Sequence, residues 1–118
     1  MPPPRYRSRV DLLQGTLDLI ILQTLRDGPH HGYGLSQAIN AGSNEILKVE
    51  TGSLYPAQHR LEKRGWVKSS WQTSSHSQRT KVYRLTPSGL KQLSEQQSRW
   101  QQLVTAMASL MAPKKSEA

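Results

Sequence analysis

The chain has 118 residues and a formal net charge of +8, with 16 Lys and Arg against 8 Asp and Glu. With no cysteine, a disulfide scaffold, a thiolate zinc site and a cysteine nucleophile are excluded. The longest apolar run is Leu19–Leu22, far short of the roughly 20 residues that a membrane-spanning helix needs.

Residues 1–9 hold three prolines and Arg5, Arg7 and Arg9. They read as an extended arm with no apolar stretch of the kind found in a signal peptide. A cytoplasmic protein with no membrane partner is expected. From Asp11, apolar residues at 13, 17, 20, 21 and 25 mark one face of a helix. Asp11 is a candidate cap, and Gly28-Pro29 ends the helix. Gly15 weakens the first turn and moves the expected start toward Thr16.

A short second helix fits His31–Ala41, anchored by Tyr33, Leu35 and Ile39 and closed by Gly42-Ser43-Asn44. The third spans Thr51–Arg64, with Leu54, Gln58 and Leu61 at helical spacing and Gly65 as its C-terminal cap. Pro56 inside it removes a hydrogen bond, so the helix is expected to start near Gly52.

Residues 66–72 and 81–86 alternate as strands around a polar tip, which predicts a β-hairpin. Thr86-Pro87 then reads as a cap followed by proline at the first helical position. The last helix runs to about Met111, before Pro113. The fold class is mainly α with a small β-hairpin, a winged helix-turn-helix plus a long C-terminal helix. The expected division is an arm at 1–10, a DNA-binding domain at 11–86, a dimerisation helix at 87–112 and a tail at 113–118.

Charge is unevenly distributed. Residues 51–91 carry Arg60, Lys63, Arg64, Lys68, Arg79, Lys81, Arg84 and Lys91 against Glu62 alone, whereas residues 10–50 are net acidic. A bland solvated surface mixes signs more evenly, so the third helix and hairpin are expected to face an anion, double-stranded DNA first. The four histidines form no His-x-x-x-His pair, and the chain has neither a P-loop nor a Gly-x-Gly-x-x-Gly motif. Neither a catalytic site nor a cofactor is expected.

The segments Leu17-Asp18-Leu19-Ile20-Ile21-Leu22 and His31-Gly32-Tyr33-Gly34-Leu35 resemble the opening of the PadR family of bacterial transcriptional regulators. Gly52-Ser53-Leu54-Tyr55-Pro56, Arg60-Leu61-Glu62, Gly65 and Tyr83-Arg84-Leu85-Thr86 with Gly89 extend the resemblance over residues 12–93. The resemblance implies a homodimeric winged-helix DNA binder, usually a repressor, of the short subgroup with one dimerisation helix. Gln58 departs from it, standing where the family usually has leucine.

The DNA-contacting candidates are Tyr33, Thr51, Gly52, Ser53, Tyr55 and His59 on the helices and Arg79 and Lys81 on the hairpin. Gly52 permits close backbone approach, and helix N-terminal amides suit phosphate. Ser53 and His59 have the hydrogen-bonding groups to read base edges, and long basic chains on a hairpin suit phosphates or a minor groove.

In the last helix, Leu90, Leu93, Gln97, Trp100, Val104, Met107 and Met111 alternate spacings of three and four. That is a heptad seam, polar only at Gln97, and it predicts a dimer interface. Some relatives that the chain resembles bind flat aromatic effectors between interface tryptophans, which makes Trp100 the candidate for an aromatic effector. The leading reading is a homodimeric repressor on an inverted repeat. A protein-interaction winged helix and a non-specific architectural DNA binder stay open at this point.

Overall fold

Among the described residues seven elements form, in the order α1 (Gln14–Arg26), β1 (His30–His31), α2 (Gly32–Gly42), α3 (Thr51–Lys63), β2 (Val67–Thr73), β3 (Arg79–Leu85) and α4 (Pro87–Met111). The computed structural model describes residues 14–73 and 76–113. The N-terminal arm, the Asp11 cap, Leu13 and the residues of the tail from 114 onward lie outside the described residues.

The apolar faces read from the periodicity meet in one core. Ile21, Leu22, Leu35, Leu54 and Leu61 are fully buried, joined by Leu25, Ile39, Val49, Ala57, Val67, Tyr83 and Leu93. Each buried side chain of this size contributes about 1.5–3 kcal/mol relative to exposure.

Helix ends follow local chemistry. At the end of α3, Trp66 N–H donates to the Leu61 carbonyl at 3.1 Å and Gly65 N–H to Glu62 at 3.0 Å. Gly65 has φ +76°, so the pair forms a Schellman cap on a residue free to turn left-handed. The matching cap of α2 uses Asn44, at φ 55°, in place of a glycine. Asn44 donates to the Ala41 carbonyl at 3.2 Å and Glu45 to Asn40 at 2.7 Å.

Pro56 does not delay α3, which begins at Thr51. Pro56 has no N–H to offer the Gly52 carbonyl, and Gly52 is exposed, where solvent can satisfy such a group. At the start of α4, Thr86 Oγ1 accepts from Gly89 N–H at 2.9 Å with Pro87 in the first turn.

Two expectations are corrected. His31 does not open α2. His30–His31 form a third strand that pairs antiparallel with β3, His30 opposite Tyr83 and His31 opposite Val82, in the sheet order β1-β3-β2. His31 also caps α2, its Nδ1 accepting from Gly34 N–H at 3.1 Å. Two residues carry no readable alternation, and the pairing edge is supplied by β3. The second correction concerns Leu93, which is 1% exposed and lies in the core of its own chain. The first turns of α4 pack on α1, so this position of the heptad is covered within the domain.

Gln58 does lie on the core face, at 1% exposure. Its Nε2 has no hydrogen-bond partner among the described residues. An unmet amide donor of this kind costs about 1–3 kcal/mol.

Candidate nucleic-acid interface

α3 divides sharply. Leu54, Ala57, Gln58 and Leu61 face the core, while Thr51, Gly52, Tyr55, Pro56 and His59 are exposed and Ser53 is half-buried. Tyr55 is 55% exposed and meets His59 edge-on, with ring centroids 4.5 Å apart. It lies on the outer face with His59 and is not in the core. Among the described residues no side chain caps the N-terminus of α3; Ser53 N–H is taken by the Glu50 carbonyl at 2.9 Å, so it is the Thr51 and Gly52 amides that point toward an incoming anion.

The orientation of this outer face is set from three sides. On the inner side, Arg60 Nη2 donates to Asp18 Oδ1 of α1 at 2.6 Å. On the approach, Ser36 Oγ donates to the Val49 carbonyl at 2.5 Å and Asn40 Nδ2 to Leu47 at 3.3 Å. These bonds tie the α2–α3 connection to α2. On the hairpin side, Glu62 accepts from Ser69 Oγ at 2.6 Å and pairs with Lys81 Nζ at 3.8 Å.

The start of α2 abuts α3: a Cβ built on Gly32 would lie 3.6 Å from Thr51 Cγ2. Tyr33 follows at once and is 64% exposed. Tyr33, Thr51, Gly52, Ser53 and Tyr55 therefore lie in the N-terminal halves of two helices in contact with each other, and His59 follows one turn further along α3.

The hairpin carries Arg79, exposed, and Lys81, half-buried. Lys81 is engaged by Glu62 and lies 5.5 Å from the Tyr83 ring centroid. Burial pushes the Tyr83 phenol above its usual range, and the ammonium of Lys81 opposes that shift. Lys63, Arg64 and Lys68 add exposed positive charge beside α3.

Composition marked the basic segment but missed the groups that aim it. Asp18, Ser36, Asn40 and Glu62 make contacts 42, 13, 7 and 7 residues away in sequence, and no local pattern announces them. The lone acid in a basic stretch was the available signal for Glu62.

Beyond Leu93, α4 skirts α1 as far as Trp100, and residues 101–111 are all exposed. Gln97 Nε2 donates to Gln23 Oε1 of α1 at 3.3 Å. Leu90, Trp100, Leu103, Val104, Met107, Leu110 and Met111 are 40–79% exposed. Trp100 forms one wall of a cleft of about 640 Å³, lined also by Leu19 and Ile20 of α1 and Ile39 of α2. Among the described residues no helix is long and apolar enough to cross a membrane.

Comparison with known proteins agrees with this layout. The model of the transcriptional regulator PadR-like family matches residues 21–95. A transcriptional regulator of Mycobacterium tuberculosis is 38% identical over 77 residues, 65% of this chain and 68% of that protein. A transcriptional regulator from Clostridium thermocellum superposes with a TM-score of 0.73 at 31% identity, covering 85% of this chain and 93% of that one. A PadR-like transcriptional regulator from Bacillus cereus gives 0.74 at 29% identity, covering 86% and 97%. All three are transcriptional regulators by name, and the two solved structures share the winged-helix architecture built here from α1–α3 and the β-hairpin. The chain belongs to the PadR-like family of DNA-binding transcriptional regulators.

Proposed function

We propose that this regulator is a homodimeric repressor that reads an inverted repeat in the bacterial cytoplasm. Each protomer lays the exposed face of α3 in a major groove and its hairpin along the flanking backbone. Tyr33 and the first turn of α3 hold phosphates, Ser53 and His59 reach base edges, and Arg79 and Lys81 meet the flanking phosphates or the minor groove between them.

The observation that carries the dimer is the outer half of α4. Trp100, Leu103, Val104, Met107, Leu110 and Met111 form an exposed apolar face that a lone chain leaves in water. A second copy covers such a stripe by two-fold symmetry and so presents two recognition helices to a palindrome. The interface set is then Leu90, Gln97, Trp100, Val104, Met107 and Met111, widened by Leu103 and Leu110. The cleft beside Trp100 supports the further reading that a planar aromatic effector binds there. Such a guest releases DNA if it binds the DNA-competent spacing less tightly than another.

Sedimentation equilibrium and a salt series on a duplex selected by the full chain from a randomised pool test the reading together. A dimer is expected. Affinity is expected to fall roughly a thousandfold between 50 and 200 mM salt, as several phosphate contacts per protomer require. A monomer at micromolar concentration, or a flat salt response, overturns it. Uniform binding to every duplex would favour the architectural alternative.

A further inference from the structure

The hairpin carries an exposed aromatic that the recognition scheme above leaves unused. Trp71 is 57% exposed, although it lies on a strand whose first residue, Val67, is buried in the core. The β2–β3 register places Val67 opposite Leu85, Ser69 opposite Tyr83, Trp71 opposite Lys81 and Thr73 opposite Arg79. These pairs share one face of the ribbon, because side chains alternate with period two.

Near the body of the protein that face is spent on the core and on Glu62 of α3, through Ser69 and Lys81. Farther out it runs past the helix into solvent, and there Trp71 and Arg79 stand. The Arg79 guanidinium lies 4.9 Å from the Trp71 ring centroid. One strand step inward, Lys81 lies 5.5 Å from the Tyr83 ring centroid. Cations and rings thus form a ladder that begins in the core and ends at an exposed tryptophan.

A guanidinium stacked on an indole is held in plane and is weakly hydrated, so it loses less freedom when it enters a narrow groove. Its edge donors remain available to the acceptors that A·T pairs present in the minor groove. The apolar face of the indole suits deoxyribose and the groove wall. Phosphate contact alone would need the charge and not the ring.

We propose that Trp71 is a specificity-determining residue. It holds Arg79 edge-on for the minor groove beside the half-site read by α3, and so makes the protein prefer A·T pairs there. This rests on the DNA-binding mode proposed above. It adds sequence preference at positions that α3 does not touch, read through groove width and potential.

The experiment uses the full chain and a duplex that it has selected from a randomised pool. Only the flanking base pairs are then changed, to A·T, G·C or inosine·cytosine. The last has the minor-groove face of A·T and the major-groove face of G·C. Fluorescence anisotropy is expected to show A·T and inosine·cytosine flanks bound alike, and G·C flanks weaker by about fivefold or more. Trp71→Ala should erase that ratio while leaving the circular dichroism melt unchanged, and Trp71→Phe should keep part of it. Equal losses on all three flanks, an unaltered ratio in Trp71→Ala, or inosine·cytosine behaving as G·C would overturn the proposal while leaving the DNA-binding mode intact. Failure of the unaltered protein to select any duplex would overturn both.

Discussion

Gly89 is the position where one added methyl group should do the most damage. A Cβ there would fall on the carbonyl oxygen of Trp66, well inside contact, and 2.8 Å from Leu85 Cδ1. The leucine end can rotate away, but the carbonyl cannot. It accepts from Thr86 N–H at 3.0 Å, and Thr86 Oγ1 donates to the Gly65 carbonyl at 2.7 Å.

In Gly89→Ala the first turn of α4 must therefore lift off the loop that follows α3, breaking both bonds. Overpacking of this kind costs about 1–3 kcal/mol, and each lost hydrogen bond adds about 1 kcal/mol. The expected total is about 3–5 kcal/mol, a large share of the 5–15 kcal/mol typical of a small domain. Urea unfolding followed by circular dichroism measures it, with exposed Ser88→Ala as a neighbour expected to stay within about 0.5 kcal/mol. Because this joint sets the direction of α4, and with it the proposed dimer face, the variant should also bind the selected duplex more weakly than its folded fraction explains. A loss under about 1 kcal/mol would show that the helix can shift without strain and would refute the reasoning.

Two further outcomes follow from buried groups. Asp18 is 8% exposed and held by Arg60, so Arg60→Met should cost about 2–3 kcal/mol by stranding the carboxylate, below the value for a fully buried pair because the arginine is partly hydrated. Asp18→Leu combined with Arg60→Met should recover most of that loss, and a double-mutant cycle without coupling would show that the pair does not anchor α3. Tyr83 is raised chiefly by burial, and its unfolded phenol ionises near pH 10. The stability gained by keeping it neutral is thus present below about pH 10 and lost as pH rises through the higher folded value. Between pH 8 and 11 the melting temperature of the parent should fall more steeply than that of Tyr83→Phe, and parallel slopes would contradict this.

Local pattern was enough for every element that carries its own period or its own stop signal. The stripe of α1, the Thr86-Pro87 start of α4, the Gly65 cap and the alternation of β2 and β3 are contacts within a few residues of chain, so neighbours in sequence encode them. The charge of residues 51–91 is likewise additive, so the strongly basic segment is legible without the fold. What needed the tertiary structure is whatever depends on a distant partner. β1 is two residues long and exists because β3 offers an edge. Leu93 fits a heptad as well as Met107 does, and only the packing of α4 on α1 puts it in the core while Met107 stays exposed. Asp18 and Glu62 read as ordinary surface acids until the fold sets each against α3 or the hairpin. Trp71 matches Val67 in strand parity, and its exposure is decided by where the body of the protein ends beneath the ribbon. Periodicity states which residues share a face, and only the packed chain determines what that face meets.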